Sequence, residues 1–283
     1  MQLVATEDGS LSLKDPATGE LFHNRAGAFT EALLNYVRPS GALKCLEEKS
    51  RLTILDVCFG LGYNSFVLIE EALQLGARGT IYIQAIETDP TLFSLLPQIL
   101  SNAKFEKLAS MLNLSELTDK KCVMAESSGL KVELSIEIAS LRQVVPRLKE
   151  DFDVVFHDPF SPSHKPQLWT VNLFHEYHRI LSKFDGAVLT YCSAAGVRGG
   201  LIEAGFNVKR TFALGGKSGG TIGLVSSNDK LRQELDVYEL DESELTRINS
   251  LSGIPYRDEE FSQDRKSILL SRQQEQERYR RRD

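Results

Sequence analysis

Apolar residues follow two rhythms along this chain. In some stretches they run continuously over a few positions, bounded by charge or glycine. In others they return every three or four positions. The first rhythm predicts a strand buried on both faces, and the second a helix with one apolar face. Residues 28–37 (AFTEALLNYV) have the helical rhythm, with Phe29, Leu33, Leu34 and Val37 on one face. Residues 51–60 (RLTILDVCFG) are the first continuous run, and 63–76 (YNSFVLIEEALQLG) predict a helix that stops at Gly76. The alternation then repeats. Strands are predicted over 80–89, 131–138, 151–158 and 186–193, with helices over 90–102, 140–150, 168–181 and 197–206 between and after them. Two last strands, 207–214 and 221–227, are joined by GGKSGG.

Such alternation predicts an α/β fold with a mostly parallel sheet covered by helices on both faces and closed by an antiparallel hairpin. Residues 1–30, with the turn signals EDGS and DPATGE, read as an irregular or hairpin lead-in. Residues 31–227 form the sheet domain. Residues 228–283 turn polar and charged and read as an extension packed outside the sheet. No internal repeat is visible.

Composition narrows the class. A chain of 283 residues with 42% hydrophobic residues can build a sizeable core. The four cysteines are scattered, with no pair or cluster at metal-ligand spacing, so no metal site is expected and a reducing, cytoplasmic setting is. The first residues show no signal-peptide pattern, and no apolar stretch approaches membrane-spanning length. A net charge of -6 does not mark a nucleic-acid binder, although binding depends on local patches. The end of the chain, SRQQEQERYRRRD, is locally basic and reads as a solvated helix end or as part of a docking surface.

Ligands of parallel sheets bind beyond the carboxyl ends of the strands, so chemistry is sought at the ends of strands one, two and four. After the first comes Gly60-Leu61-Gly62, a tight turn open to close ligand approach; Ser65 stands where a dinucleotide fingerprint would have its third glycine. Asp56 before this loop and Asn64 after it are expected to share in holding a cofactor. After the second strand, Glu87 and Asp89 can each accept from a ribose diol. Glu87 is preferred, since Asp89 before Pro90 suits a helix cap. After the fourth strand comes HDPFSPSHKPQLW. Asp158 stands at the mouth of a loop stiffened by Pro159 and Pro162, and Phe160 offers an aromatic face to a cationic amine. One glycine loop, shorter than a dinucleotide fingerprint, and a final antiparallel pair predict a class I, Rossmann-like S-adenosylmethionine-dependent methyltransferase rather than a dehydrogenase. Lys165, Lys217, Arg198 and the terminal RYRRR are the candidate local basic surface.

DGSLSLKDPATGELFHNRAGAFTEA, LDVCFGLGYNSF and HDPFSPSHKPQLW together resemble the methyltransferase domain of the MnmC family, over residues 3 to about 227. They are most similar to members that lack the FAD oxidase half. The resemblance implies S-adenosyl-L-methionine as cofactor, with neither FAD nor metal. It implies tRNA as partner and N-methylation of the aminomethyl group of wobble 5-aminomethyl-(2-thio)uridine, which a separate enzyme makes. It implies that Glu31, Gly60 and Gly62 approach the cofactor, that Glu87 holds its ribose, that Asp158 lies at the reacting amine, and that Phe160, Lys165 and Lys217 meet the substrate. The family's Gly-Asp-Ala after strand three is Glu137-Ile138-Ala139 here, so either Glu137 reaches the adenine from one position earlier or backbone alone holds it. The alternatives are a methyl- or aminopropyl-transferase acting on a small amine, and a non-catalytic cofactor- or RNA-binding subunit.

Overall fold

The structure is a computed structural model and describes residues 2–14, 21–149, 151–182, 185–213, 219–226, 235 and 237–281. Lys217 and most of GGKSGG lie outside the described residues. The lead-in is a hairpin, β1 (Gln2–Ala5) paired antiparallel with β2 (Leu11–Lys14). At its tip the Asp8 carboxylate accepts from the Thr30 amide at 3.0 Å and the Thr30 hydroxyl at 2.7 Å, which ties the hairpin to the first helix.

That helix begins as α1 (Ala28–Ala32), continues as a π-helical turn over Leu33–Val37, and ends as α2 (Arg38–Ser40). The wider turn advances the buried face, because each π turn accommodates an extra residue. Phe29 and Val37 are core as the periodicity predicts, but Leu33 and Leu34 are only half-buried, and Asn35 and Tyr36 point inward instead.

The chain continues through α3 (Ala42–Lys49), β3 (Arg51–Val57), α4 (Tyr63–Gln74), β4 (Gly79–Glu87) and α5 (Leu96–Leu100). Then follow α6 (Glu106–Met111), α7 (Leu114–Lys120), β5 (Cys122–Ser127), β6 (Leu130–Ile138), α8 (Leu141–Val144) and β7 (Val154–His157). Last come α9 (Val171–Ile180), β8 (Ala187–Thr190), α10 (Ala195–Glu203), β9 (Asn207–Thr211), β10 (Thr221–Leu224), β11 (Val237–Tyr238), α11 (Glu242–Ile248) and α12 (Arg265–Arg280). Two predicted helices are shortened by proline. The segment after β4 starts as a 3-10 turn, Pro90–Leu95, and the one after β6 is a single α turn that passes into a 3-10 turn at Val145–Arg147. The helices α6 and α7 and the edge strand β5 are additions to the sequence reading. β5 has only Val123 buried, and its signal was the Ser128-Gly129 turn, whose positive φ values of 53° and 88° make a tight hairpin to β6.

The main sheet has the order β11-β9-β10-β8-β7-β3-β4-β6-β5. β8, β7, β3, β4 and β6 are mutually parallel, and each strand outside them pairs antiparallel with its neighbour, with β10 inserted between β8 and β9. Strand side chains alternate between two apolar layers. Ile54 and Phe156 face the layer under α1, α4, α5, α6 and α7, while Leu55 and Val155 face the layer under α8, α9, α10 and α12. β3 pairs with β4 on one side and with β7, far along the chain, on the other. The strand order therefore reverses at β3, where a crevice opens at the carboxyl ends.

The C-terminal segment is more than an appendage. β11 extends the sheet beside β9. The Val171 amide donates to the Tyr256 carbonyl at 2.9 Å. Arg265 donates to the Ser163 carbonyl at 2.9 Å, inside the loop that follows β7.

Candidate active site

Three loops meet at the crevice. In the first, Gly60 has a φ of 57°, and a Cβ there would meet only the Cys58 carbonyl at 3.7 Å, so the backbone is open to a ligand. Gly62 has a φ of 78° and serves a different purpose. A Cβ at that position would lie 2.5 Å from the Phe66 ring and 2.7 Å from the Phe59 ring, so the glycine lets two aromatic rings close beneath the loop. Gly62 is not on the cavity wall, and neither is Asp56. Asp56 is buried under the loop, where its carboxylate accepts from the Ser65 hydroxyl at 2.6 Å, and burial pushes it up to about 8. Ser65, in the place of a third glycine, is thus the partner of Asp56.

In the second loop Glu87 ties the strand ends together. One carboxylate oxygen accepts from the Gly60 amide at 2.9 Å, and the other from the amides of Thr88 at 2.6 Å and Asp89 at 2.9 Å. Asp89 caps the following turn by accepting from the Thr91 amide at 2.9 Å. Glu87 is left facing the cavity, and its Gly60-bonded oxygen retains a lone pair for a ligand hydroxyl.

The third loop presents Asp158. Each of its oxygens is held by one donor from the opposite helices: the Tyr36 hydroxyl at 2.7 Å and the Asn64 amide nitrogen at 3.1 Å. The Tyr36 oxygen also accepts from the Tyr191 amide at 3.2 Å. Burial raises the Asp158 pKa, and the bonds from Tyr36 and Asn64, which favour the charged form, pull it back. The loop is rigid for a visible reason. The Trp169 indole donates to the Phe160 carbonyl at 2.9 Å, and the Tyr191 hydroxyl donates to the Pro159 carbonyl at 2.9 Å. His157 takes no part in the cavity wall. It is buried edge-on to Trp169, bonded to the Tyr177 hydroxyl at 2.9 Å, and burial lowers its pKa to about 3, so it stays neutral.

The loops enclose a cavity of about 980 Å³. Of the residues singled out from the sequence, Glu31, Gly60, Asn64, Glu87, Asp158, Phe160 and Lys165 line it. Phe22, Arg25, Asn35, Ser140, Arg142 and Tyr191 line it as well, without having been singled out for it. Tyr36 was hidden because the π turn breaks the helical period that places it. Glu137 does not reach the cavity. It is ion-paired with Arg147, and Ser140 and Arg142 supply the wall after β6 instead. Arg198 is a second correction. Rather than joining a basic surface it is buried, donating to the Thr221 hydroxyl at 2.9 Å and to Glu244 at 2.6 Å. Among the described residues no group of three His, Cys, Asp or Glu side chains is arranged to hold a metal ion, and no helix is long and apolar enough to cross a membrane.

The cavity suits an elongated ligand with a diol and a flexible polar end. It has an open glycine backbone, a fixed carboxylate at the end of β4 and room for both halves. The family model of the S-adenosyl-L-methionine-dependent methyltransferases matches residues 104–226. The structure also superposes on the crystal structure of MnmC2 from Aquifex aeolicus with a TM-score of 0.78 and 28% identity, covering 96% of this chain and 83% of that one. The chain is a class I S-adenosyl-L-methionine-dependent methyltransferase, and S-adenosyl-L-methionine is its cofactor. A bifunctional MnmC protein of Burkholderia vietnamiensis, named for tRNA 5-methylaminomethyl-2-thiouridine biosynthesis, is 27% identical over 82% of this chain. The chain spans 36% of that protein's length. An uncharacterized protein of Methanocaldococcus jannaschii is 27% identical over 98% of this chain and 72% of its own length. Within its class, the chain is similar to the MnmC proteins.

Proposed function

We propose that the protein methylates the aminomethyl nitrogen carried on C5 of the wobble uridine, or 2-thiouridine, of tRNA. The observation that carries this reading is the Asp158 carboxylate, held at the cavity by Tyr36 and Asn64 with one donor on each oxygen. The name of the bifunctional MnmC relative supplies the substrate class.

S-adenosyl-L-methionine brings an electrophilic methyl group on a sulfonium leaving group. The chain's part is to bind, to align and to hold a proton. Gly60, Glu31 and Glu87 hold the cofactor, and Asp56 and Gly62 support their loop from beneath. A primary amine enters as an ammonium and must lose a proton before it can attack. Asp158 accepts that hydrogen bond with its remaining lone pairs, and a carboxylate whose pKa is raised by burial takes the proton more readily than an exposed one. The same negative charge stabilises the cation that develops on nitrogen as the new bond forms. Phe160 lies beside that charge, and Lys165 lies where the polyanion approaches.

The test is direct. Purified protein is incubated with labelled S-adenosyl-L-methionine and tRNA bearing 5-aminomethyluridine, and the digested nucleosides are analysed by mass spectrometry. The expected product is the methylaminomethyl nucleoside. Failure to label this tRNA while a small polyamine is labelled would replace this reading with the small-amine one, which the net charge of -6 favours.

A further inference from the structure

The wall opposite the Asp158 loop is built by residues 21–25, between β2 and α1, and it places an aromatic ring and a cation at the cavity mouth. Phe22 meets Phe160 edge to face, with ring centroids 5.2 Å apart and planes at 86°. Both rings line the cavity, and Phe160 is 39% exposed, two residues from the Asp158 carboxylate. The segment carrying Phe22 is pinned on both sides. The Phe22 amide donates to the Leu13 carbonyl at 2.9 Å, and the Asn24 amide donates to Glu31 at 2.6 Å. The His23 ring packs on Tyr63 at 4.8 Å. Beside the two rings stand Arg25 and Lys165, both exposed, both on the cavity lining, and neither with an ion-pair partner among the described residues. Arg142, deeper on the wall, is by contrast paired with Asp258.

We infer that Phe22 and Phe160 are a clamp for one unstacked pyrimidine of a single-stranded RNA loop, with Arg25 and Lys165 holding its flanking phosphates. The inference rests on the proposed methyl transfer and names the residues that would select its substrate. Bases in RNA loops are recognised when splayed out and stacked on aromatic rings, while cations track the backbone. A base stacked between two faces needs the rings roughly 7 Å apart, twice the contact distance between carbons. From 5.2 Å and planes at 86°, that takes a turn of one ring through nearly a right angle and an outward shift of ~2 Å, which the free side-chain torsions of a cavity-lining phenylalanine allow. The base edge that carries the C5 substituent would then face Asp158.

Three measurements separate the parts: KM for aminomethyl-tRNA, KM for the free 5-aminomethyluridine nucleoside, and the affinity for S-adenosylhomocysteine by calorimetry. Phe22→Ala should raise KM about tenfold or more for both tRNA and nucleoside, since stacking acts on the base. Phe22→Trp should restore it, and S-adenosylhomocysteine affinity should be unchanged. Arg25→Ala should raise KM for tRNA alone and reduce the salt slope of tRNA binding by about one. Wild-type KM values for Phe22→Ala on both substrates would refute the clamp. So would a matching fall in S-adenosylhomocysteine affinity, which would assign Phe22 to the cofactor. Equal losses on nucleoside and tRNA for Arg25→Ala would refute the phosphate contact. If wild-type protein methylates neither substrate, the methyl-transfer reading itself fails, and that result is distinct from all of these.

Discussion

Two aspartates near the crevice have raised pKa values, with opposite consequences. Asp158 is half-buried, faces the cavity and has a donor on each oxygen. Asp158→Asn keeps the shape and removes the charge, and its new amide group would oppose the Asn64 donor. Methyl transfer in single turnover should slow by about 10²- to 10⁴-fold, while calorimetry should show S-adenosylhomocysteine affinity retained. Near-normal transfer would reduce Asp158 to a structural anchor. Asp56, by contrast, is sealed beneath the glycine loop with one oxygen unpartnered, and its pKa stands at about 8 against ~3.9 in an unfolded chain. Between these values the folded state binds the extra proton, so stability is fully present below the lower value and is lost as pH rises through the higher one. Asp56→Asn removes that dependence. Its melting temperature should gain on wild type steadily from pH 5 to pH 8; parallel melting curves across that range would show that Asp56 is ionised in the fold.

At the scale of the element, the glycine loop and the π turn show how a local pattern acquires a second purpose. Gly62 has the positive φ of a tight turn, yet the side of its Cα where a Cβ would go is filled by Phe59 and Phe66 rather than by a ligand. The resemblance implies that Gly62 approaches the cofactor, so that Gly62→Val would block binding in an intact fold. The packing predicts instead a loss of about 2–5 kcal/mol of stability, from overpacking and from a β-branched residue at positive φ. A thermal melt reads this directly. A normal melting temperature with lost cofactor affinity would restore the sequence expectation. The π turn at Leu33–Val37 moves Tyr36 onto Asp158 and exposes part of the predicted apolar face, trading regular packing for a hydroxyl donor at the crevice.

Across the whole molecule, the C-terminal segment braces two walls of the cavity. Asp258, fully buried, pairs with Arg142 after β6 and accepts from the amides of Ser262 at 3.0 Å and Gln263 at 3.1 Å. A few residues later Arg265 holds the Ser163 carbonyl in the Asp158 loop. Asp258→Ala leaves a largely buried guanidinium unpaired, and removal of one member of a buried pair costs about 3–5 kcal/mol. The melting temperature should fall accordingly, and S-adenosylhomocysteine should bind more weakly to the fraction still folded. If both stay at wild-type values, the segment does not brace the site.

Period and punctuation along the chain were sufficient for the alternation of strands and helices, the parallel order that follows from it, and the three loops that bear Gly60, Glu87 and Asp158. These are local properties: a repeat of two or of three to four, a glycine that permits a turn, a proline that forbids a ladder bond. Contacts between distant residues depend instead on how whole layers pack. Tyr36 and Asp158 are 122 positions apart, and no period links them. The choice of Arg198 for the interior and of Ser65 as the partner of Asp56 was likewise made by burial and by the need to satisfy charge there. The same holds for Phe22. Its sequence neighbourhood reads as an irregular or hairpin lead-in, and only the folding of that segment across the strand ends brings its ring to Phe160.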